Sequence, residues 1–389
     1  MQTNDDLSAT TRQPLLSRSK TIMAIFFFQA LSNGGLYPRI PDIQQALGIS
    51  EGALGLALMG QPVGALIIFL FSSRLIEKLG PKKILIVALP LLAIGNLLLV
   101  MAPNLTTITI LFAAFGATFA VSNVAMNVEA DRVEASTGVR VMTRCHGMWS
   151  FGFLTASMIG VAARGFDIST FWHFTGVLPI IIAATLIFIV PMHLSEERKH
   201  SGSAVKRITL PTLGTLALVG FGLSAVMVEN GTRAWSVIYM RDTFDAAAWV
   251  DTLTLPAFMI SMSVVRLFSD GLIQRLGAVR TAASFLSIAL AGELFVIFAQ
   301  NLWQALTGFA LLGVGISVVF PLAISAAARL GDRPASENVA GFTMGMGLVM
   351  LMIPGMMGYA AEEFGIRVSF AILLPMIVVS LLLVRRVGR

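Results

Sequence analysis

Two carboxylates, Glu229 and Glu293, interrupt long apolar runs of this chain. An acid enclosed in hydrocarbon is costly as an ion, and such residues mark proton relays and solute pathways. Glu229 is followed at once by Asn230 and Gly231. Glycine inside a helix costs about 1 kcal/mol relative to alanine, so a local break is expected here, in the outer half of its helix. Interrupted helices offer backbone groups to bound solutes. Glu229 is therefore the first candidate for proton coupling, or for hydrogen bonding to a hydroxylated solute. Its structural alternative is an ion pair with Arg233, one turn away at the outer surface. Glu293 is the second proton-coupling candidate, with a purely structural pairing as its alternative.

Amides supply the remaining chemistry. Gln29 and Asn33 lie one helical turn apart, and Gly116, Ala120, Asn123 and Asn127 recur at three- or four-residue steps, so that each set shares one face. The counterpart of the second set is Gly313, Ser317, Pro321 and Ser325. A polar side chain within a bilayer needs a cavity or a partner, so Gln29, Asn33, Asn123, Asn127, Glu229, Asn230 and Trp235 are expected to bind solute. For the glycines and serines, close packing of small residues between helices is an equal alternative. His146 is expected to pack near the inner end of the fifth span, and His173 with Trp172 to form part of an interfacial belt.

The elements that must position these residues are membrane spans. Of the 389 residues only 12% are charged and 56% are hydrophobic, against about 25% charged in soluble domains, and mean hydropathy is +0.83. A bilayer requires roughly 20 apolar residues per helix. Such runs occur near 21–37, 52–73, 82–102, 106–127, 142–163, 168–192, 210–232, 247–268, 280–300, 303–325, 338–360 and 367–384. The first of these has no small-residue cleavage site after it and reads as a helix rather than a signal peptide. The expectation is an all-α membrane protein of twelve transmembrane helices in two six-helix bundles. Residues 1–19 form a cytoplasmic tail, 20–192 the first bundle, 193–208 a cytoplasmic linker and 209–389 the second bundle.

Basic residues favour cytoplasmic loops. Twelve spans place 22 of the 27 Lys and Arg on the side of the amino terminus, leaving Arg39, Arg164, Arg233, Arg241 and Arg367 opposite. Both termini are thus expected in the cytoplasm. Basic residues scattered between apolar runs form no nucleic-acid face. Cys145 is the only cysteine, which excludes an intrachain disulfide.

The second half repeats the first at an offset of 197 residues. Asn33-Gly34 meets Asn230-Gly231, Leu79-Gly80 meets Leu276-Gly277, Gly95 meets Gly292, Asn104-Leu105 meets Asn301-Leu302, and Gly116 meets Gly313. Two such halves can rock about a central site and open it to either side in turn. The loop after the second span carries Glu77, Lys78, Gly80, Lys82 and Lys83, and its mate carries Asp270, Arg275, Gly277 and Arg280. Fixed charges there can latch the bundles. Glu77, Lys78, Arg266, Asp270 and Arg275 are the expected gating residues, with Arg266 and Asp270 spaced one turn apart for an ion pair. The alternative is that these basic residues only set orientation.

At these loops the chain resembles the major facilitator superfamily, whose inner loop after the second span reads Gly-x-x-x-Asp-Arg-x-Gly-Arg-Arg. Ser73 stands where that pattern begins with glycine. The stretches 123–127, 141–150 and 229–242 look like a narrower branch that includes rhizopine permease-like bacterial proteins, distantly similar to fucose and other sugar permeases. The resemblance implies a monomeric, proton-coupled carrier of a small sugar- or cyclitol-like solute in the inner membrane, working by alternating access. It implies no enzyme activity, cofactor or metal. The residues agree, since no metal-ligand spacing, no nucleophile with its base and no phosphate-binding GxxxxGK[ST] loop occurs. A drug exporter of the same fold is the competing reading, because Met344, Met346, Met350 and Met352 crowd one span. A membrane sensor lacking transport is a third.

Overall fold

The computed structural model describes residues 15–138, 141–195 and 210–388, with the side chains of 15–17, 73 and 270 excepted. The expected tail up to residue 14 and the linker from 196 to 208 lie outside the described residues. All regular structure among the described residues is helical, and it comprises α1 (Leu15–Gly34), α2 (Ile40–Leu47), α3 (Glu51–Val100), α4 (Leu105–Thr137), α5 (Met142–Gly165), α6 (Thr170–Ala184), α7 (Leu213–Thr243), α8 (Ala248–Asp251), α9 (Thr254–Leu276), α10 (Ala278–Ile297), α11 (Leu302–Ile316), α12 (Val319–Arg329), α13 (Ala335–Phe364), α14 (Ile366–Ala371) and α15 (Leu373–Leu383). Among the described residues ten segments are long and apolar enough to cross a membrane: Glu51–Ser72 and Arg74–Val100 within α3, then α4, Thr170–Ile189, α7, Ala248–Ser269, α10, Leu302–Arg329, α13 and Ile366–Gly388. The two further expected spans correspond to α1 and α5, which pack against each other but fall outside that measure.

The repeat is visible in the backbone. Gly80, which joins the two arms of α3, has φ 76° and ψ 154°, and Gly277, which joins α9 to α10, has φ 82° and ψ 155°. Both take the positive φ that glycine alone adopts freely. Asn104 caps α4 by accepting from the Thr107 backbone N–H at 2.9 Å, and Asn301 caps α11 by accepting from Gln304 at 2.9 Å. A methyl group on Gly116 would overlap the carbonyl oxygen of Gln61, and one on Gly313 that of Phe258. Both pairs are related by the same 197-residue offset. These two glycines therefore let helices touch, which is the packing alternative, and Gly116 also borders a central cavity together with Ala120 and Asn123 of its stripe.

Two expectations about α7 fail. The helix runs unbroken for 31 residues instead of ending near 232, so Glu229 and Arg233 sit near its middle and not at an outer surface. Gly231 is tolerated because a side chain there would strike Met357 of α13. The break lies elsewhere, at Ser317 and Val318 between α11 and α12. Pro321 causes it, since a proline ring clashes with the carbonyl four residues earlier and lacks the N–H to bond it. That carbonyl belongs to Ser317.

Candidate functional site

A hydrogen-bonded belt runs across the middle of the bundle from the first half into the second. Ser122 of α4 accepts from Gln29 Nε2 of α1 at 3.3 Å, and Gln29 Oε1 accepts from Trp149 Nε1 of α5 at 2.8 Å. The Arg233 guanidinium of α7 then lies over the rings of Trp149 and Phe153, 5.5 and 4.8 Å from their centroids. Arg233 Nη2 donates to Glu229 Oε1 one turn below. The other oxygen of Glu229 stands 3.7 Å from Arg266 Nη2 of α9. Arg266 Nε finally donates to the freed carbonyl of Ser317 at 3.2 Å.

Beside this belt is a cavity of about 250 Å³ lined by both halves. Its polar groups are Tyr37, Gln61, Asn123 and Asn230, and its apolar wall includes Phe69, Phe119, Met350 and Pro354. Asn230 and Ala234 present one stripe of α7 to the cavity while Glu229 and Arg233 present the neighbouring stripe to the belt. Tyr37 joins the two regions, since its ring lies 5.6 Å from that of Phe153.

Of the sequence candidates, Gln29 belongs to the belt, and Asn123 and Asn230 face the cavity. Asn127 Nδ2 donates to the side chain and backbone carbonyl of Asn123 at 3.1 and 2.8 Å, which fixes the cavity amide from behind. Asn33 is 2% exposed with its Oδ1 unpartnered, outside the cavity wall. Trp235 is fully buried and packs against Gly358 of α13. Glu293 is fully buried with neither oxygen bonded, whereas its repeat mate Asn96 donates to the Ser32 carbonyl at 2.8 Å. His173 is 5% exposed and accepts from Arg39 Nε, so it is held inside the fold and not in an interfacial belt. His146 is exposed and sets its ring edge-on to Phe26.

The loop residues Glu77, Lys78 and Arg275 are exposed and hold no ion pair among the described residues. Arg266 turns inward to Glu229 and Ser317, which removes it from the loop charges with which it was grouped. The side chain of Asp270 is outside the described residues.

A polar clasp closes the opposite end of the seam, and the sequence reading did not find it. Asp42 bridges Arg39 at 2.8 Å and Arg164 at 3.0 Å, and Arg164 Nη1 donates to Thr252 Oγ1 of the second half at 3.1 Å. Nearby, Arg241 of α7 donates to Gln44 Oε1 of α2 at 3.0 Å. Burial pushes the Arg39 guanidinium below its ordinary pKa and Asp42 draws it back up. Beneath the clasp Gly55 of α3 meets the Gly358 backbone of α13. The signal in the sequence was the run Arg39 to Asp42 beside a span end, where arginine and aspartate are one turn apart.

A helical bundle with two related halves, a polar belt across them and a closure at one end defines a membrane transporter fold. Residues 22–329 match the description of the Major Facilitator Superfamily. The chain belongs to that superfamily. It is similar to the uncharacterized transporter y4wD of Sinorhizobium fredii, with 29% identity over 92% of this chain and 95% of the relative. It is also similar to the membrane protein MosC of Rhizobium meliloti, with 28% identity over 89% and 85%. Among solved structures, the nucleoside transporter NupG (D323A mutant) superposes with a TM-score of 0.74 at 12% identity, covering 96% of this chain and 100% of that one. The Escherichia coli fucose:proton symporter FucP (N162A) gives 0.62 at 17%, covering 97% and 100%. Both likenesses concern the fold.

Proposed function

We propose that this protein is a secondary active transporter that moves a small polar solute, sugar- or cyclitol-like, across the inner membrane by alternating access coupled to protons. The observation that carries the reading is the belt from Ser122 to Ser317. It places amides of the first half and charges of the second on one mid-bundle seam, closed at the Asp42 end. Breaking the clasp while closing the loops around Glu77, Lys78, Asp270 and Arg275 would present the seam to the other side. Gln29, Asn33, Asn123, Asn127, Asn230 and Trp235 are the proposed solute-binding or solute-site residues, with Asn123 and Asn230 in direct contact. Glu229 and Glu293 are the acids available for coupling, Glu229 through its ion pairs and Glu293 as an unpartnered carboxyl.

The cavity is smaller than the roughly 300–1,000 Å³ typical of drug-sized pockets, and of Met344, Met346, Met350 and Met352 only Met350 lines it. Both features favour a small polar solute over a drug. The chain is taken to act as a monomer with its termini in the cytoplasm.

Uptake into proteoliposomes under an imposed proton gradient tests the reading. Wild-type protein is expected to accumulate a labelled sugar or cyclitol derivative, and Glu229→Gln to insert and fold without accumulating it. Undiminished pH-dependent uptake by Glu229→Gln removes Glu229 as the coupling group.

A further inference from the structure

The charges on the seam do not cancel. Among described side chains, the single carboxylate of Glu229 faces two guanidinium groups, Arg233 and Arg266. Glu293, fully buried with neither oxygen bonded, forms no ion pair with them. Arg233 is enclosed, with its Nη2 on Glu229, two aromatic rings against its face and a side chain only 11% exposed, although its buried Nε has no hydrogen-bond partner. Arg266 is not. Its Nε has the Ser317 carbonyl, but its Nη2 stands 3.7 Å from Glu229, beyond hydrogen-bond range, and the side chain is 36% exposed.

Arg266 is near the middle of α9, and its bonded groups point to α7 and to the α11–α12 break. These partners tie Arg266 to the belt, beside the cavity that Asn123, Asn230 and Gln61 line. A guanidinium offers five donors in a fixed fork that suits a carboxylate. Among the described side chains the belt thus holds one more guanidinium than carboxylate, and an unmatched charge inside a membrane protein is costly until an anion meets it.

We propose that the transported solute is itself an anion, a hydroxylated carboxylate of the sugar-acid class, whose carboxylate docks on the free Nη edge of Arg266. The amides of Asn123, Asn230 and Gln61 on the adjoining wall receive its hydroxyls. The inference rests on the transport reading and narrows the solute from polar to negatively charged. It also gives Glu229 a second duty, since it competes with the solute for Arg266 and partly offsets the charge of the empty site.

The test is counterflow in proteoliposomes preloaded with D-glucuronate, D-galacturonate or D-gluconate, set against D-galactose and myo-inositol as neutral counterparts. Labelled sugar acid is expected to exchange while the neutral solutes do not. Arg266→Gln is expected to reduce that exchange at least tenfold, and Arg266→Lys to keep part of it. Exchange of a neutral solute that survives Arg266→Gln overturns the anion inference and leaves transport standing. No exchange of any of the five solutes overturns both.

Because Arg266→Gln can misfold, thermal unfolding of wild-type protein provides an independent readout. A sugar acid is expected to raise the midpoint by binding the folded state, while sodium chloride at equal ionic strength does not. Equal responses to salt and to every sugar acid overturn the inference.

Discussion

The two halves share a scaffold but differ in charge at the positions that face each other. Gly80 and Gly277, Asn104 and Asn301, and Gly116 and Gly313 do the same structural work at matching places. The charges of the mid-bundle belt fall in the second half alone. Glu229 replaces Ser32, Arg233 replaces Leu36, Arg266 replaces Phe69 and Glu293 replaces Asn96 under the 197-residue offset. Pro321 replaces Val124 in the same way, and accordingly α4 is continuous where α11 and α12 part. Repetition maintains the helix contacts, and divergence supplies the chemistry. At the belt the first half contributes amides and rings, and the second contributes the charges.

Substitutions at matched positions separate these roles. The largest effect is expected at the shared glycines, where Gly116→Leu and Gly313→Leu each force a side chain into a backbone carbonyl. Each should cost about 3 kcal/mol of stability, seen as a matching loss of monodisperse protein; a large effect at only one of them would break the scaffold equivalence.

Charge substitutions should be unequal. Glu229→Gln leaves Arg233 and Arg266 without their carboxylate, costing about 1–3 kcal/mol and abolishing proton-driven accumulation. Its mate Ser32→Ala should remain within about 0.5 kcal/mol of wild type, because the Ser32 hydroxyl has no partner and only its backbone carbonyl is used. Equal uptake defects in the two variants would show that the charge asymmetry carries no function.

Pro321→Ala is expected to heal the break and return the Ser317 carbonyl to the helix. Removing proline from a helix interior favours the helix by up to about 3 kcal/mol, so thermal stability should hold or rise while transport slows. The smallest effect is expected at the clasp. Asp42→Asn weakens two partly exposed ion pairs, worth about 1 kcal/mol together, which shifts the balance between open and closed ends by roughly fivefold. Increased labelling of a cysteine introduced at Leu255, which is fully buried and leaves the Arg164–Thr252 bond in place, would register that shift.

Much of this architecture was legible in the sequence because lipid imposes simple rules. Apolar runs, basic loops and a fixed repeat offset need no tertiary knowledge. The depth of Glu229 was misread because α7 continues past its polar segment: Arg233 is covered by Trp149 and Phe153, and those rings come from another part of the chain. The helix break was assigned to Gly231 when the stronger breaker was Pro321, noted only as part of a polar stripe. Arg266 was read as a loop charge for the same reason as Arg233, since sequence shows a charge near a span end but not the carbonyl awaiting it. The clasp of Asp42, Arg164 and Thr252 joins residues more than 80 positions apart, and no local spacing reveals it.

The most direct measurement is a pair of spin-label distances in a Cys145→Ser background, which removes the single, buried native cysteine. One pair is placed at Gln45 and Ala248, both at the clasp end, and the other at Lys78 and Arg275, repeat mates in the opposite loops. Alternating access predicts that adding solute lengthens the first distance as it shortens the second. Distances that stay fixed, or that lengthen together, would contradict it.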